Sequence, residues 1–165
     1  MNGNAPMPMN LLTLSSPLCH EGIDQDWTLL NGKCLRRFGL DPKNRQGWET
    51  AEKICVSKGG HLASVTDAGQ LKALAQFCFR DLPDTNINTD CAVGLRKTNG
   101  GVFVWMDGQP FNSDLKNEDR MSPLHQEDHM HIEGHLFPHA FLEGDNDGGA
   151  GPFLYVCGAS LHIHT

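Results

Sequence analysis

Residues 47–65 read GWETAEKICVSKGGHLASV and carry the clearest local pattern in the chain. Apolar residues recur there with the period of an α-helix, at Trp48, Ala51, Ile54 and Cys55. The pair Gly59–Gly60 follows where glycine commonly ends a helix, because glycine adopts a left-handed backbone at little steric cost. The sequence therefore predicts a helix that ends at this pair and continues into a short extended segment, residues 61–65.

Further elements are predicted on both sides of this segment. Upstream, Asn31–Gly32 separates two apolar pieces within residues 27–38, which indicates a β-hairpin. Downstream, Thr66 can cap a second helix that runs from Asp67 to about Phe79. Strands are predicted at three apolar stretches: CAVGL (91–95), VFVWMDG (102–108) and FLYVCGA (153–159). Between the last two stretches, periodicity is lost until residues 129–132, HMHI.

Acidic residues and histidines are concentrated in one window of the sequence. The chain has 165 residues, the length of about one domain, and a net charge of −7. Residues 107–147 hold ten acidic side chains, two basic ones and five of the nine histidines, so this window alone carries −8. An acidic chain is not expected to bind nucleic acid, and no apolar run is long enough to span a membrane.

The cysteine pattern favours disulfide bonds. The six cysteines are even in number, widely spaced and form no CxxC pair. These features predict three disulfides and an oxidising, extracellular compartment, with 15 connectivities open from spacing alone. The first residues do not have the composition of a clear signal peptide, so we expect residues 1–17 to be a leader or a disordered N-terminus.

The order of these segments resembles the C-type lectin-like domain family, in its long form with an N-terminal hairpin. The matching pieces are GWETAEKICVSKGGHLASV, CAVGL, NGGVFVWMDGQPF, GDND and FLYVCGA, spread over about residues 19–158. The resemblance implies an α+β fold in which two helices flank small antiparallel sheets and a long irregular loop region carries the function. We expect the domain to occupy residues 18–159, followed by a short tail, 160–165.

The resemblance also implies a disulfide pairing. The implied pairs are Cys19–Cys34 at the N-terminal hairpin, Cys55–Cys157 between the first helix and the last strand, and Cys78–Cys91 after the second helix. Most family members have another bridge inside the loop region. Both cysteines of that bridge are missing here, from residues 127–129 and 148–150.

The same resemblance implies a calcium site in the loop region, residues 107–149. Calcium binds six to eight oxygen atoms, and the hydroxyl groups of a sugar can complete that set. The positions that match the family's ligands, for both metal and sugar, are Glu118, Glu127, Asn146 and Asp147, and Asp128 could join a second, structural calcium site. Two departures oppose the site: Asp119 replaces the usual proline, and Arg120 puts a cation where an oxygen ligand is expected.

The histidines offer a different metal site. If residues 129–132 form a strand, His129 and His131 point to the same face. Together with Glu127 or Glu133 they would suit zinc or copper better than calcium. Exposed histidines without a metal are the simpler alternative.

Ligand recognition without catalysis is the function that the sequence favours. No nucleophile elbow, phosphate-binding loop or HExxH motif is present, so we do not expect an enzyme. The first hypothesis is calcium-assisted binding of a carbohydrate or glycoprotein through residues 107–149. The alternative is a calcium-independent module of the same fold that binds a protein.

Overall fold

A computed structural model describes residue 19 and residues 27–82, 89–98, 100–116, 128–145 and 148–161, with only the backbone described for Asp128 and Asp145. Two α-helices, eight strands and two short 3-10 helices follow one another along these residues. In chain order they are β1 (Thr28–Leu30), β2 (Lys33–Phe38), a 3-10 helix (Pro42–Asn44), α1 (Trp48–Ser57), β3 (His61–Leu62), α2 (Ala68–Phe79), β4 (Cys91–Lys97), β5 (Phe103–Trp105), a 3-10 helix (Ser113–Leu115), β6 (Asp128–Ile132), β7 (Leu142–Asp145) and β8 (Leu154–Ala159). No helix in the described ranges is long and apolar enough to cross a membrane.

The predicted hairpin and both predicted helices are confirmed. Asn31 and Gly32 both have positive φ, 52° and 77°, as the turn between β1 and β2 requires. The α1 helix ends at Ser57 with Lys58 as its C-cap, and Gly59 follows with φ 90°, the left-handed backbone that the sequence predicts after this helix. The cap of α2 lies one residue later than predicted: the Asp67 carboxylate accepts from Gln70 N, while Thr66 N donates to the Gln70 side chain. The Asp67 and Gln70 side chains thus accept from two backbone N–H groups at the start of the helix.

The strands of the described residues join into one sheet, in the order β1-β2-β8-β4-β6-β7, with β3 on β8 and β5 on β4. All the pairings are antiparallel except that of β4 with β8, where Cys91 and Ala92 lie parallel to Leu154 and Tyr155. This short parallel contact joins β1, β2 and β8 to β4, β6 and β7. The small antiparallel sheets that the family resemblance predicts are therefore connected into a single mixed sheet.

The apolar core packs each helix against this sheet. Leu71, Leu74 and Cys78 of α2 lie in one buried cluster with residues of β4, β6 and β8. The second cluster surrounds α1 and includes Trp27 and Trp48. The Trp48 indole also donates to Val93 O, at 2.7 Å, which connects α1 to β4.

All three implied disulfides are confirmed. Their Cα atoms are 5.2 Å apart in Cys19–Cys34 and in Cys55–Cys157, and 6.2 Å apart in Cys78–Cys91. The second bridge connects α1 to β8 across 102 residues of sequence. The first helix and the last strand, which precede and follow the loop region in sequence, are thus covalently connected.

Candidate functional site

The loop region begins at Asp107, which is fixed immediately after β5. Its carboxylate accepts from the Ser64 hydroxyl and, at 3.0 Å, from Gln109 N. Lys33 Nζ donates to Ser64 Oγ at 2.6 Å and lies 3.9 Å from the Asp107 carboxylate. Partial burial lowers the pKa of Lys33, and the charge of Asp107 opposes that shift. This polar network connects β2, the segment after β3 and the start of the loop region.

The next residues are packed onto the same frame. Asn112 donates to Thr66 O at 3.0 Å, and Phe111 stacks on Phe103 with 4.9 Å between ring centroids. Leu115 is buried in the core beside α2. The loop region is therefore held against the domain as far as residue 116.

The far end of the loop region is held by a buried glycine. Gly149 has φ 74°, and Trp48 N donates to its carbonyl oxygen at 2.8 Å. A Cβ at this position would lie 2.8 Å from Trp48 Cβ and 2.9 Å from His129 Cβ. No larger side chain fits there without displacing α1 or β6, so glycine allows the chain to return close to both elements.

Between these two anchors, β6 and β7 form an antiparallel hairpin. His129 is opposite Asp145, and Ile132 is opposite Leu142. The chain therefore enters β6 and leaves β7 at the same end of the hairpin. At that end, Asp128 is opposite Lys97 of β4. In sequence, Glu127 directly precedes this strand pair and Asn146 directly follows it.

The comparison with known families agrees with this architecture. A family model described as the lectin C-type domain matches residues 44–147. The chain belongs to the C-type lectin domain family. The match lies within the predicted domain of residues 18–159, whose boundaries stay a prediction. The family supports a ligand-recognition role for this C-type lectin domain, because its members are binding proteins rather than enzymes.

The similar proteins include a C-type lectin domain family member and a snaclec subunit. C-type lectin domain family 4 member F of Mus musculus is 35% identical over 92 residues, which are 55% of this chain and 15% of the relative. Snaclec bitiscetin subunit alpha of Bitis arietans is 34% identical over 90 residues, which are 53% of this chain and 64% of the relative. This C-type lectin domain thus matches less than two thirds of the length of either relative.

Solved structures show the same fold. CEL-IV has a TM-score of 0.66 at 22% identity, over 91% of this C-type lectin domain and 96% of that chain. A calcium-independent type II antifreeze protein has a TM-score of 0.60 at 19% identity, over 82% of this chain and 92% of that one. At these identities the likeness establishes the fold alone.

Three of the predicted calcium ligands, Glu127, Asn146 and Asp147, adjoin the described hairpin in sequence, and Glu118 lies nine residues before Glu127. Glu118, Glu127, Asn146 and Asp147 lie outside the described residues, and only the backbone of Asp128 is described. The structure thus gives the frame of this C-type lectin domain on both sides of these positions. The ligand set itself stays a prediction.

The histidines of the predicted alternative metal site, His129 and His131, contact different acids. Both rings are buried on β6. Nε2 of His129 lies 3.0 Å from Oε1 of Glu49. Nε2 of His131 lies 3.3 Å from one carboxylate oxygen each of Asp90 and Glu133. Within the described residues, the groups of three side chains that could bind one metal include His131 but not His129.

Two of these acidic partners were not predicted from the sequence. Glu49 is on α1, 80 residues before His129, and also lies 3.9 Å from the Arg96 guanidinium. Asp90 directly precedes β4. Neither position has a local sequence signal, because the contacts arise only when α1 and β4 pack beside β6.

Proposed function

We propose that this C-type lectin domain binds carbohydrate through a calcium ion held by Glu118, Glu127, Asn146 and Asp147, with Asp128 available for a second ion. The observation that carries the proposal is the register of β6 and β7. Because His129 is opposite Asp145, the segments that contain Glu127 and Asn146–Asp147 start from the same end of one hairpin. Residues that are distant in sequence thereby adjoin neighbouring strands.

The donor set suits calcium. Carboxylates and an amide supply only oxygen atoms, the donors that calcium prefers, and residues 107–147 carry a charge of −8. A bound calcium ion would supply coordination positions for two neighbouring hydroxyl groups of a sugar. The carboxylates would orient those hydroxyls by accepting hydrogen bonds from them, and the Asn146 amide would donate a hydrogen bond to a hydroxyl oxygen.

The anchors at both ends of the loop region favour a preorganised site. The Asp107 network fixes the start, and the contact of Gly149 with Trp48 fixes the return. Rigid anchoring lowers the ordering cost of ligand binding, which matters more here because the usual loop disulfide is missing. We also infer an extracellular location, since three disulfides persist only in an oxidising compartment.

Calcium-independent recognition of a protein is the second candidate, and two residues favour it. Arg120 stands where an oxygen ligand is expected, and a positive charge there opposes calcium. Asp119 replaces the usual proline. Under this candidate the same loop region would contact a protein surface directly, and removal of calcium would not change the affinity.

A binding assay with matched variants tests the proposal. The oxidised protein is applied to immobilised mannose, galactose and N-acetylglucosamine conjugates, in calcium and in EGTA. We expect binding to at least one conjugate in calcium only, and a loss of at least about tenfold in Asp147→Ala. Asp114→Asn is the control, because Asp114 is an exposed acid of the same loop region outside the ligand set.

Two results would overturn the proposal. One is carbohydrate binding that persists in EGTA or in Asp147→Ala. The other is a folded wild-type protein that binds none of the conjugates in calcium, which would move the search to protein ligands.

A further inference from the structure

A second cluster of metal-ligating side chains lies toward the turn of the β6–β7 hairpin, away from the end that Glu127 and Asn146 adjoin in sequence. His131, Glu133 and Glu143 each place one ligand atom within 4.8 Å of the others. Glu133 also belongs to a second such group, with Asp90 and His135. The ring of His131 is 1% exposed and the Glu133 side chain 4%. A buried group of imidazoles and carboxylates is costly unless its charges are compensated.

The hydrogen bonds of this cluster do not satisfy it fully. Nε2 of His131 lies 3.3 Å from Oδ2 of Asp90 and 3.3 Å from Oε1 of Glu133. A single ring N–H cannot donate well to two carboxylates. Oε2 of Glu133 is buried and accepts no hydrogen bond within the described residues, although Nδ1 of the exposed His135 lies 2.7 Å away.

The separations within the group of His131, Glu133 and Glu143 suit ligands of a single ion. Ligand atoms bound at about 2.0–2.1 Å in tetrahedral geometry lie about 3.3–3.4 Å from one another. Nε2 of His131 and Oε1 of Glu133 have this separation, 3.3 Å, which is longer than the usual 2.9–3.0 Å of an N–H···O bond. The Glu143 ligand atom lies within 4.8 Å of both, so one cation could contact all three side chains.

We propose that His131, Glu133 and Glu143 hold a divalent transition-metal ion of the zinc class. An imidazole with carboxylates suits zinc, whereas calcium prefers oxygen atoms alone. The ligands differ from those of the proposed calcium site. Asp90 lies at the edge of the group, 3.3 Å from Nε2 of His131, and the ion would connect β6 to β7.

The surroundings of the cluster favour a built site. Gly134 N donates to Oδ1 of Asp90 at 2.8 Å, which turns Oδ2 toward His131. The His131 ring stacks on Phe153 with 5.2 Å between centroids, which fixes the orientation of the imidazole. Such supporting contacts are typical of metal ligands. Asp90 and His135 are partly open to solvent and mark the side from which an ion can enter.

The two glutamates of the cluster have opposite pKa shifts. The pKa of Glu143 is raised to about 7, mainly by burial and further by the hydrogen bond to Glu133 and its charge. The pKa of Glu133 is lowered to about 2, mainly by its hydrogen bond with His131.

Zinc titration of matched variants tests the site. The oxidised protein, stripped of metal with a chelator, is titrated with Zn²⁺ by calorimetry. We expect one ion per chain, with an affinity at least about tenfold weaker in Glu143→Gln and in His131→Asn. His139→Ala is the control, because His139 is an exposed histidine of the same hairpin outside both groups. Co²⁺ should give the visible absorption of a four-coordinate ion in the wild type and not in Glu143→Gln.

Several outcomes would overturn the proposal. They are no zinc binding by the wild type, unchanged binding in Glu143→Gln, or a loss of binding in His139→Ala. Circular dichroism establishes whether each variant is folded. If His131→Asn does not fold, the zinc affinity of Glu143→Gln alone tests the site. Asp147→Ala should bind zinc normally, so failure of the calcium proposal is distinguishable from failure of this one.

Discussion

Replacing Gly149 with alanine should destabilise the domain more than the same change at its neighbour, Gly148. The two glycines have nearly the same backbone, with φ 74° and 78°. They differ in the room available for a side chain. A Cβ at position 148 would have no atom within 4 Å, whereas a Cβ at position 149 would lie 2.8 Å from Trp48 Cβ and 2.9 Å from His129 Cβ. The pair thus separates backbone strain from steric contact.

The expected magnitudes follow from these two costs. A residue other than glycine in the left-handed region costs about 1–2 kcal/mol, and both variants bear that cost. Overpacking against two buried side chains adds about 1–3 kcal/mol in Gly149→Ala alone. We therefore expect losses in the free energy of unfolding of about 1–2 kcal/mol for Gly148→Ala and about 2–5 kcal/mol for Gly149→Ala.

Urea unfolding of the oxidised proteins, followed by tryptophan fluorescence, measures both losses. Similar slopes against urea concentration would establish that the difference lies in stability. Equal losses in the two variants, or a larger loss in Gly148→Ala, would refute the reasoning. Such a result would mean that Gly149 does not hold the return of the loop region against α1 and β6.

Three further predictions concern the disulfides, the cluster at the end of the hairpin and the calcium site. The double variant Cys55→Ala/Cys157→Ala should lose about 4.7 kcal/mol of unfolding free energy, because the bridge it removes closes 102 residues. Removal of Cys78–Cys91, which closes 13 residues, should cost about 2.9 kcal/mol, and urea unfolding compares the two losses. In metal-free buffer, the wild type should lose stability relative to Glu143→Gln as pH rises from 4.5 to about 7, because Glu143 keeps its proton in the folded state and has released it in the unfolded state. The expected loss is of the order of 3 kcal/mol. If urea unfolding gives the same stability difference between the two proteins across that pH range, the prediction is wrong. Arg120→Asn should strengthen calcium binding by about 1–2 kcal/mol in calorimetry, since it removes a cation and adds an amide oxygen, and an unchanged affinity would place Arg120 away from the ion.

Much of the fold could be predicted from the sequence, because local signals and the family pattern agree in residues 47–65. The end of α1 could be predicted because the left-handed backbone after the helix depends on Gly59 itself and not on a distant partner. The disulfide pairs could be predicted only through the resemblance, since spacing alone left 15 connectivities open. The cap of α2 was placed one residue early, at Thr66, because both Thr and Asp are good caps and only the fold shows which of them accepts from Gln70 N.

Elements that depend on distant partners could not be predicted in this way. The strand β7, LEGD, has no period of its own, and its structure depends on pairing with β6. The common face of His129 and His131 follows from the alternation of a strand. Their acidic partners, Glu49 and Asp90, come from other elements and have no signal near the histidines.

Calorimetric titration of the oxidised, metal-free protein with calcium tests most directly whether this C-type lectin domain binds calcium through Glu118, Glu127, Asn146 and Asp147. Asp147→Ala and Asp114→Asn are titrated alongside. We expect calcium binding by the wild type and by Asp114→Asn, and a loss of at least about tenfold in affinity in Asp147→Ala. No calcium binding by the folded wild type, or equal binding by Asp147→Ala, would contradict it.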